Sequence, residues 1–556
     1  MYAACPPPNC VPRFNSAYVV EYILFILRSI SPSFLIFDFR NGKIMKQLIR
    51  FFSRYWILLL LVAVKIILQF VFVSPTYDLH RDEFLHLDQA FHPAAGYISV
   101  PPFSSWMSTL IYLFGGGLFW VRFIPAVFGA LTIVLSWLIV EKLGGRLHAK
   151  LLATTFLIFS VYARINVLFQ PNSFDILSWT AMFYALIRYV RTHDLRWLLI
   201  LALVTALGLY NKYTVVFLIT GLAAGLMLTR QRIILREKVF WLAIAFCLLL
   251  FMPNIIWQIT HQWPVVNHMK ALNDTQLVNI TYSGFLLDQL KFGVIGVLTL
   301  ASFWALLFYE PFRPYRFIGW TFLVVIVLFT LSRAKSYYAL GLYPVLFSLG
   351  SLYLETVLKK SKAVVVPALI TVNILLFFVV GRYVMPFQGP RQIIADRESY
   401  QKLGLLRWED GRDHSLPQDF ADMRGWREMA AKALIGWQMI PENERKKTLI
   451  FCDNYGQAGA LNYYNRKKMP EAYSFNTDYI YWLPRLDPIS NVLLVGDQPG
   501  QDILDMFREI RIVGTVSDEF AREKGTVVFL LFGAKPGFTQ LFYNMAEKRK
   551  AEFDIF

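Results

Sequence analysis

Charged residues are scarce in this sequence: Asp, Glu, Lys and Arg make up 17% of its 556 residues, against about 25% in soluble domains. That excludes an ordinary soluble fold, and it excludes a charged disordered linker. Cysteine is scarcer still. Of Cys5, Cys10, Cys247 and Cys452, the first two fall in a short leader and Cys247 in an apolar stretch, so no disulfide framework follows. The chain also lacks a Walker loop, a GxGxxG opening a nucleotide-binding unit and a GxSxG elbow, which argues against a soluble nucleotide donor. No fixed-period repeat or low-complexity tract is present, which excludes a solenoid.

What is abundant is apolar: 56% hydrophobic residues, 16% of all residues aromatic. Stretches close to the roughly 20 residues that cross a bilayer fall near 55–74, 118–140, 149–167, 174–190, 196–211, 213–229, 239–257, 287–308, 316–332, 337–357 and 363–382. The expected fold is a polytopic α-helical membrane protein with about eleven transmembrane helices. Residues 1–44 read as a leader whose apolar run is too brief to span, and the native start is expected at Met45, where MKQLIRFFSRYW leads into the first span. The net charge of +17 would suggest nucleic acid in a soluble protein, but here the cations sit between apolar stretches. With a cytoplasmic N-terminus, fifteen cations fall in inner loops and five (Arg81, Lys212, Lys270, Arg333 and Lys335) in outer ones. The positive-inside rule then fixes the orientation, and no nucleic-acid partner is expected.

An odd number of spans sends the tail to the outer side. There TLIFCDNYG, NVLLVGD and TVVFLLFG read as buried strands, and GRDHSLPQDFADMRGWREMAAKALIGWQ has helical spacing, so residues 383–556 are expected to form a small extracytoplasmic α/β domain. Residues 45–382 form the transmembrane domain, with a first outer loop at 75–117.

That loop opens with YDLHRDEFLHLD. A loop carboxylate is ordinarily solvated surface charge. Asp82 and Glu83, however, follow the first span closely, and Gly96 with Pro101 and Pro102 bends the chain back into a new amphipathic segment. At the membrane face Asp82 is expected to have a raised proton affinity and to serve as a general base. Glu83 and His86 would share a helix face, a spacing that can bind zinc, so a divalent metal is possible although no paired motif is diagnostic. The exceptional outer cations Lys212, Arg333 and Lys335, with Tyr210, Tyr213, Tyr337 and Tyr338 around them, read either as an interfacial belt of snorkelling side chains or as a clamp on a lipid-linked phosphate. In FQPNSFD, Pro171 with Asn172 or Ser173 opens a helix whose free N–H groups would favour an anion, and Asp175 is either part of that site or a helix-start carboxylate.

With these positions in hand, the sequence resembles the family 39 glycosyltransferases, bacterial relatives of protein O-mannosyltransferases and of lipid A aminoarabinose transferases. The resemblance rests on the ordered motifs RDEFLHLDQAFHPAAGYISVPPFSSW, VRFIPAVFGALT, QPNSFDILSW, LGLYNKYTVVF, PNIIWQITHQWP and KSYYALGLYPVLFSLGS, followed by NYGQAGALNYYN. It implies a type C glycosyltransferase fold and inverting transfer of a sugar from a polyprenyl phosphate to a lipid, glycan or protein acceptor at the outer face of a bacterial inner membrane. By resemblance Asp82 is the catalytic base, with Glu83 supporting it or contacting the acceptor. Lys212, Arg333, Lys335 and Tyr338 fall at the donor phosphate, and His86, Tyr97, Pro101, Pro102, Gln170, Asn172 and Asp175 line the substrate site. The implied partners are the lipid-linked donor and membrane lipids. The alternative is a transporter or flippase of lipid-linked sugars; such proteins carry mid-membrane charge and repeated halves, whereas these spans are nearly free of mid-helix charge and show no repeat. A binding module on a membrane anchor is the third reading, but eleven helices exceed what an anchor requires.

Overall fold

The computed structural model describes residues 42–292 and 296–552; the leader expected at 1–44 lies almost wholly outside them, and Met45 falls within the first described helix, Gly42–Val71. By compactness the residues from Lys65 onward form one unit.

Each of the eleven apolar stretches contains a helix. Six helices among the described residues are long and apolar enough to cross a membrane: Leu48–Val71, Leu118–Lys142, Lys238–Thr260, Glu310–Leu331, Ser336–Val357 and Lys359–Val384. The pair Val215–Met227 and Arg230–Arg236, bent by 107°, makes a seventh if counted as one span, and Leu147–Ile158, Arg196–Asn211 and Gly296–Phe308 are apolar but shorter. Large side chains such as Leu249, Leu300 and Val364 are two-thirds or more exposed. So much apolar exposure suits hydrocarbon and would be a liability in water. The helices pack through small residues, as lipid-embedded helices do. A Cβ on Gly350 would lie 2.0 Å from the Leu298 carbonyl oxygen, and one on Gly225 would lie 2.4 Å from that of Phe317. Asn172–Thr192 and Tyr343–Val357 are largely enclosed.

The chain beyond the last long helix builds a five-stranded sheet from β1 (Thr448–Cys452), β2 (Tyr473–Ser474), β3 (Asn491–Gly496), β4 (Phe507–Thr515) and β5 (Val527–Ala534), in the order β2-β1-β3-β5-β4. β1 runs parallel to β2 and β3, while β5 is antiparallel to β3 and β4. The three strands expected from sequence are β1, β3 and β5. β4 is an edge strand of alternating charge whose residues Arg508–Ile512 are all exposed, so its pattern carries no burial signal. In GRDHSLPQDFADMRGWREMAAKALIGWQ only Gln418–Ala421 and Trp426–Gln438 are helical.

One face of the sheet determines where the first loop sits. Ile450, Cys452, Leu493 and Val495 pack in a core with Trp426 and Ala433 of one helix, Ala458 and Leu461 of another, and Phe84, Leu85 and Leu87 of the Arg81–Asp88 helix. A Cβ on Gly459 would lie 2.7 Å from Phe84, so the two helices touch nearly backbone to backbone. The loop is therefore built into the α/β region and is not a free surface loop.

Candidate active site

The Arg81–Asp88 helix begins with a reciprocal cap: the His80 ring accepts the Asp82 backbone N–H, and the Glu83 carboxylate accepts the His80 N–H at 2.7 Å. A capping box satisfies two otherwise orphaned donors and fixes the first turn. Asp82 thereby stands at the start of the helix with 39% of its side chain exposed, and Glu83 turns inward with none.

Asp82 is held from two directions. The Tyr455 hydroxyl donates to Oδ1 at 2.7 Å and the Gln170 amide to Oδ2 at 3.2 Å. Tyr455 opens the helix that follows β1, and its ring lies 4.3 Å beneath the Arg81 guanidinium. Burial pushes the Asp82 pKa up, but the His80 ring, the Tyr455 hydroxyl, His86 and Arg81 outweigh it and bring it to about 2. The raised proton affinity expected from membrane-face burial is thus overturned: neighbouring donors and positive charge win over desolvation.

Glu83 has no free oxygen. Oε1 pairs with Arg122 and accepts the Phe169 N–H at 2.6 Å, while Oε2 is taken by the cap. Arg122 also donates to the Val167 carbonyl at 2.9 Å. The structure thus gives Glu83 the work of joining the loop helix to the 167–169 segment. His86 is buried one turn below Asp82, and burial, opposed by Asp82 and Asp478, holds its pKa below the usual histidine range. Among the described residues no group of three or more His, Cys, Asp or Glu side chains could hold a metal ion.

From Asp82 a chain of side chains leads to Lys212. Gln170 accepts from the Asn172 amide at 3.0 Å, and Asn172 accepts from the Lys212 ammonium at 2.8 Å. Lys212 lies over the Tyr338 ring at 3.9 Å and near Tyr337 at 5.3 Å. Lys335 pairs with Glu409. Burial pulls its pKa down, and Tyr338, Glu409 and Asp82 more than restore it, so it stays charged. The structure therefore gathers Asp82, Gln170, Asn172, Lys212, Lys335 and Tyr338. Arg333 departs from them: its backbone is left-handed (φ 48°), and its guanidinium reaches the Val278 carbonyl and the Tyr282 ring. Asp175 accepts from the Thr214 hydroxyl at 3.1 Å, inside the helix bundle. The Tyr97 hydroxyl lies within hydrogen-bond reach of the His92 carbonyl and the Ser105 hydroxyl, and Pro102 precedes the Phe103–Leu113 helix; both shape the loop.

Sequence reasoning missed Tyr455, His80 and the carboxylates that fasten the loop. Asp88 pairs with Arg466 and accepts from Asn462 and Tyr479, each at 2.6 Å. Asp478 accepts from the Ile98 and Ser99 backbones, the Ser99 hydroxyl and Gln89. NYGQAGALNYYN holds Tyr455 but carries no local sign of its partner.

Residues 99–257 match the family model described as dolichyl-phosphate-mannose-protein mannosyltransferase. The lipid A galacturonosyltransferase RgtD of Rhizobium johnstonii is 25% identical over 258 residues, which cover 44% of this chain and 53% of that protein. The chain thus spans about half the length of the curated relative it matches. ArnT from Cupriavidus metallidurans, solved bound to undecaprenyl phosphate, aligns with 86% of this chain and 98% of its own at 14% identity, with a TM-score of 0.55. Its apo form gives 0.54 at 15% identity. These structural likenesses carry the polytopic type C fold.

Proposed function

We propose, from the premise that this chain is a family 39 glycosyltransferase of type C fold, that it transfers a sugar, with inversion, from a polyprenyl-phosphate donor to a lipid, glycan or protein acceptor at the periplasmic face of a bacterial inner membrane. On this reading the chain crosses the membrane eleven times, its N-terminus is cytoplasmic and its α/β region lies outside. The observation that carries it is a part-exposed Asp82 linked through Gln170 and Asn172 to the Lys212 ammonium.

The chemistry follows from the two ends of that chain. A sugar phosphate leaves readily once its developing charge is neutralised, which is the work of Lys212 and Lys335 beside Tyr338. The acceptor hydroxyl or amine must lose a proton as it attacks, and Asp82, already ionised at neutral pH, receives it. One base suffices, so the two-carboxylate arrangement of glycosidases is not needed. Glu83 is a positioning residue that fixes Asp82 through the capping box and Arg122.

The test uses the full chain in lipid nanodiscs, undecaprenyl-phosphate hexoses, hexuronates and aminopentoses as donors, and membranes from cells lacking the gene as acceptor. Wild-type protein should transfer sugar from at least one donor, and Asp82→Asn should lower transfer at least a thousandfold while inserting normally. No transfer from any donor, or transfer by Asp82→Asn, overturns the reading.

A further inference from the structure

We infer that His80 takes the proton from Asp82 after each transfer and delivers it towards the Asp419 and Asp422 carboxylates, making it the proton exit of the site. The inference rests on the proposed role of Asp82 and adds to it the fate of the proton.

The need arises from the balance of the reaction. As the acceptor oxygen or nitrogen bonds to the sugar carbon, the carbon–oxygen bond to phosphate breaks and its electron pair stays on the lipid phosphate. One proton is left on Asp82 Oδ2 and must leave before the next turnover. The Asp82 side chain is 39% exposed, and on the proposed reading that open side takes the acceptor, so the proton leaves by another face.

His80 occupies that other face. It is 5% exposed, and its ring lies among three carboxylates. Nδ1 is 3.8 Å from Asp82 Oδ2, and Nε2 is 3.8 Å from both Asp419 Oδ1 and Asp422 Oδ2. Nδ1 accepts the Asp82 backbone N–H at 3.2 Å and faces the Gln170 amide at 3.3 Å. Those two donors assign the ring proton to Nε2, the side facing the pair. The Gln170 amide nitrogen lies between Oδ2 and Nδ1, bonded to one at 3.2 Å and near the other at 3.3 Å. Asp422 is buried and held by Arg522 at 3.0 Å. Asp419 is 55% exposed and held by Arg164 at 3.2 Å, so it opens onto water. Arg81, Glu83 and Tyr455 complete the charged and titratable surroundings. The proton then passes from Oδ2 to Nδ1 while the Nε2 proton goes to Asp419 and on to solvent. The ring ends neutral with its proton on Nδ1, and rotation of the ring or exchange with water returns it to the starting tautomer.

His80 also caps the helix, so the test must separate a relay from a cap. Asparagine is a good N-cap that shuttles no proton. His80→Asn should keep the thermal midpoint and the KM for the donor, lower kcat at least tenfold, and recover several-fold with added imidazole. A wild-type kcat in His80→Asn, or a fall that imidazole does not relieve, overturns the relay. Asp82→Asn, assayed beside it, tells the two readings apart. If it is inactive while His80→Asn behaves as wild type, the relay fails and the base stands; if it transfers sugar, both fall.

Discussion

At the scale of single residues, Asp82 is governed by its donors more than by its depth. The Tyr455 hydroxyl is a neutral donor to a charged acceptor, a class of bond worth about 1.5–3 kcal/mol. Tyr455→Phe removes the hydroxyl and keeps the ring under Arg81. The variant should lose roughly tenfold in kcat, and the acidic limb of its pH–rate profile should move upward from about 2, because a carboxylate that loses a donor binds its proton more tightly. An unchanged limb would show that Tyr455 does not tune the base. Tyr455 and Asp82 lie 373 positions apart, which is why the sequence offered the carboxylate and not its partner. The expectation of a raised pKa went astray for the same reason: depth was legible from the preceding span, whereas the compensating donors come from distant segments.

At the scale of elements, the Arg81–Asp88 helix has eight residues, too few to persist alone in water. It is held by its cap, by the Glu83–Arg122 pair and by packing against the sheet region. Removing one member of a buried ion pair strands the other and costs about 3–5 kcal/mol. Glu83→Ala should therefore lower the unfolding midpoint in detergent markedly, and Arg122→Met added to it should recover part of the loss. If the double variant is no more stable than the single one, Arg122 is not the stranded charge. The helices of the membrane part were legible because apolar length and helical propensity coincide there. β1, β3 and β5 were legible because both their faces are covered. β4, solvated along Arg508–Ile512, and the two-residue β2 left no pattern to read. Asn172 stood out as a helix start and Gln170 only through the family resemblance, but their place in a chain from Lys212 to Asp82 depends on how the helices are arranged in space.

At the scale of the molecule, the α/β region and the first loop are joined by carboxylates that the interior has made costly. Burial raises the Asp88 pKa to about 6, and Arg466, Tyr479 and Asn462 offset it only in part. Its folded form thus holds a proton more tightly than the unfolded chain, whose value is near 3.8. The sign follows by linkage: this group's contribution to stability is full below about pH 4 and is lost as pH rises through about 6, by an amount on the order of 3 kcal/mol. Asp88→Asn should flatten the stability curve of the full chain between pH 4 and 7 in thermal unfolding. A curve of unchanged slope would show that Asp88 does not set it.

The bond between Tyr455 and Asp82 also has a meaning in time. A ribosome adding about 5–20 residues per second needs on the order of half a minute to cover the 373 positions between them. Throughout that interval Asp82 is already beyond the first span while Tyr455 has yet to be synthesised. A nascent chain in the translocon therefore carries the carboxylate without its tuning hydroxyl, and the finished site is assembled only after Tyr455 has been made.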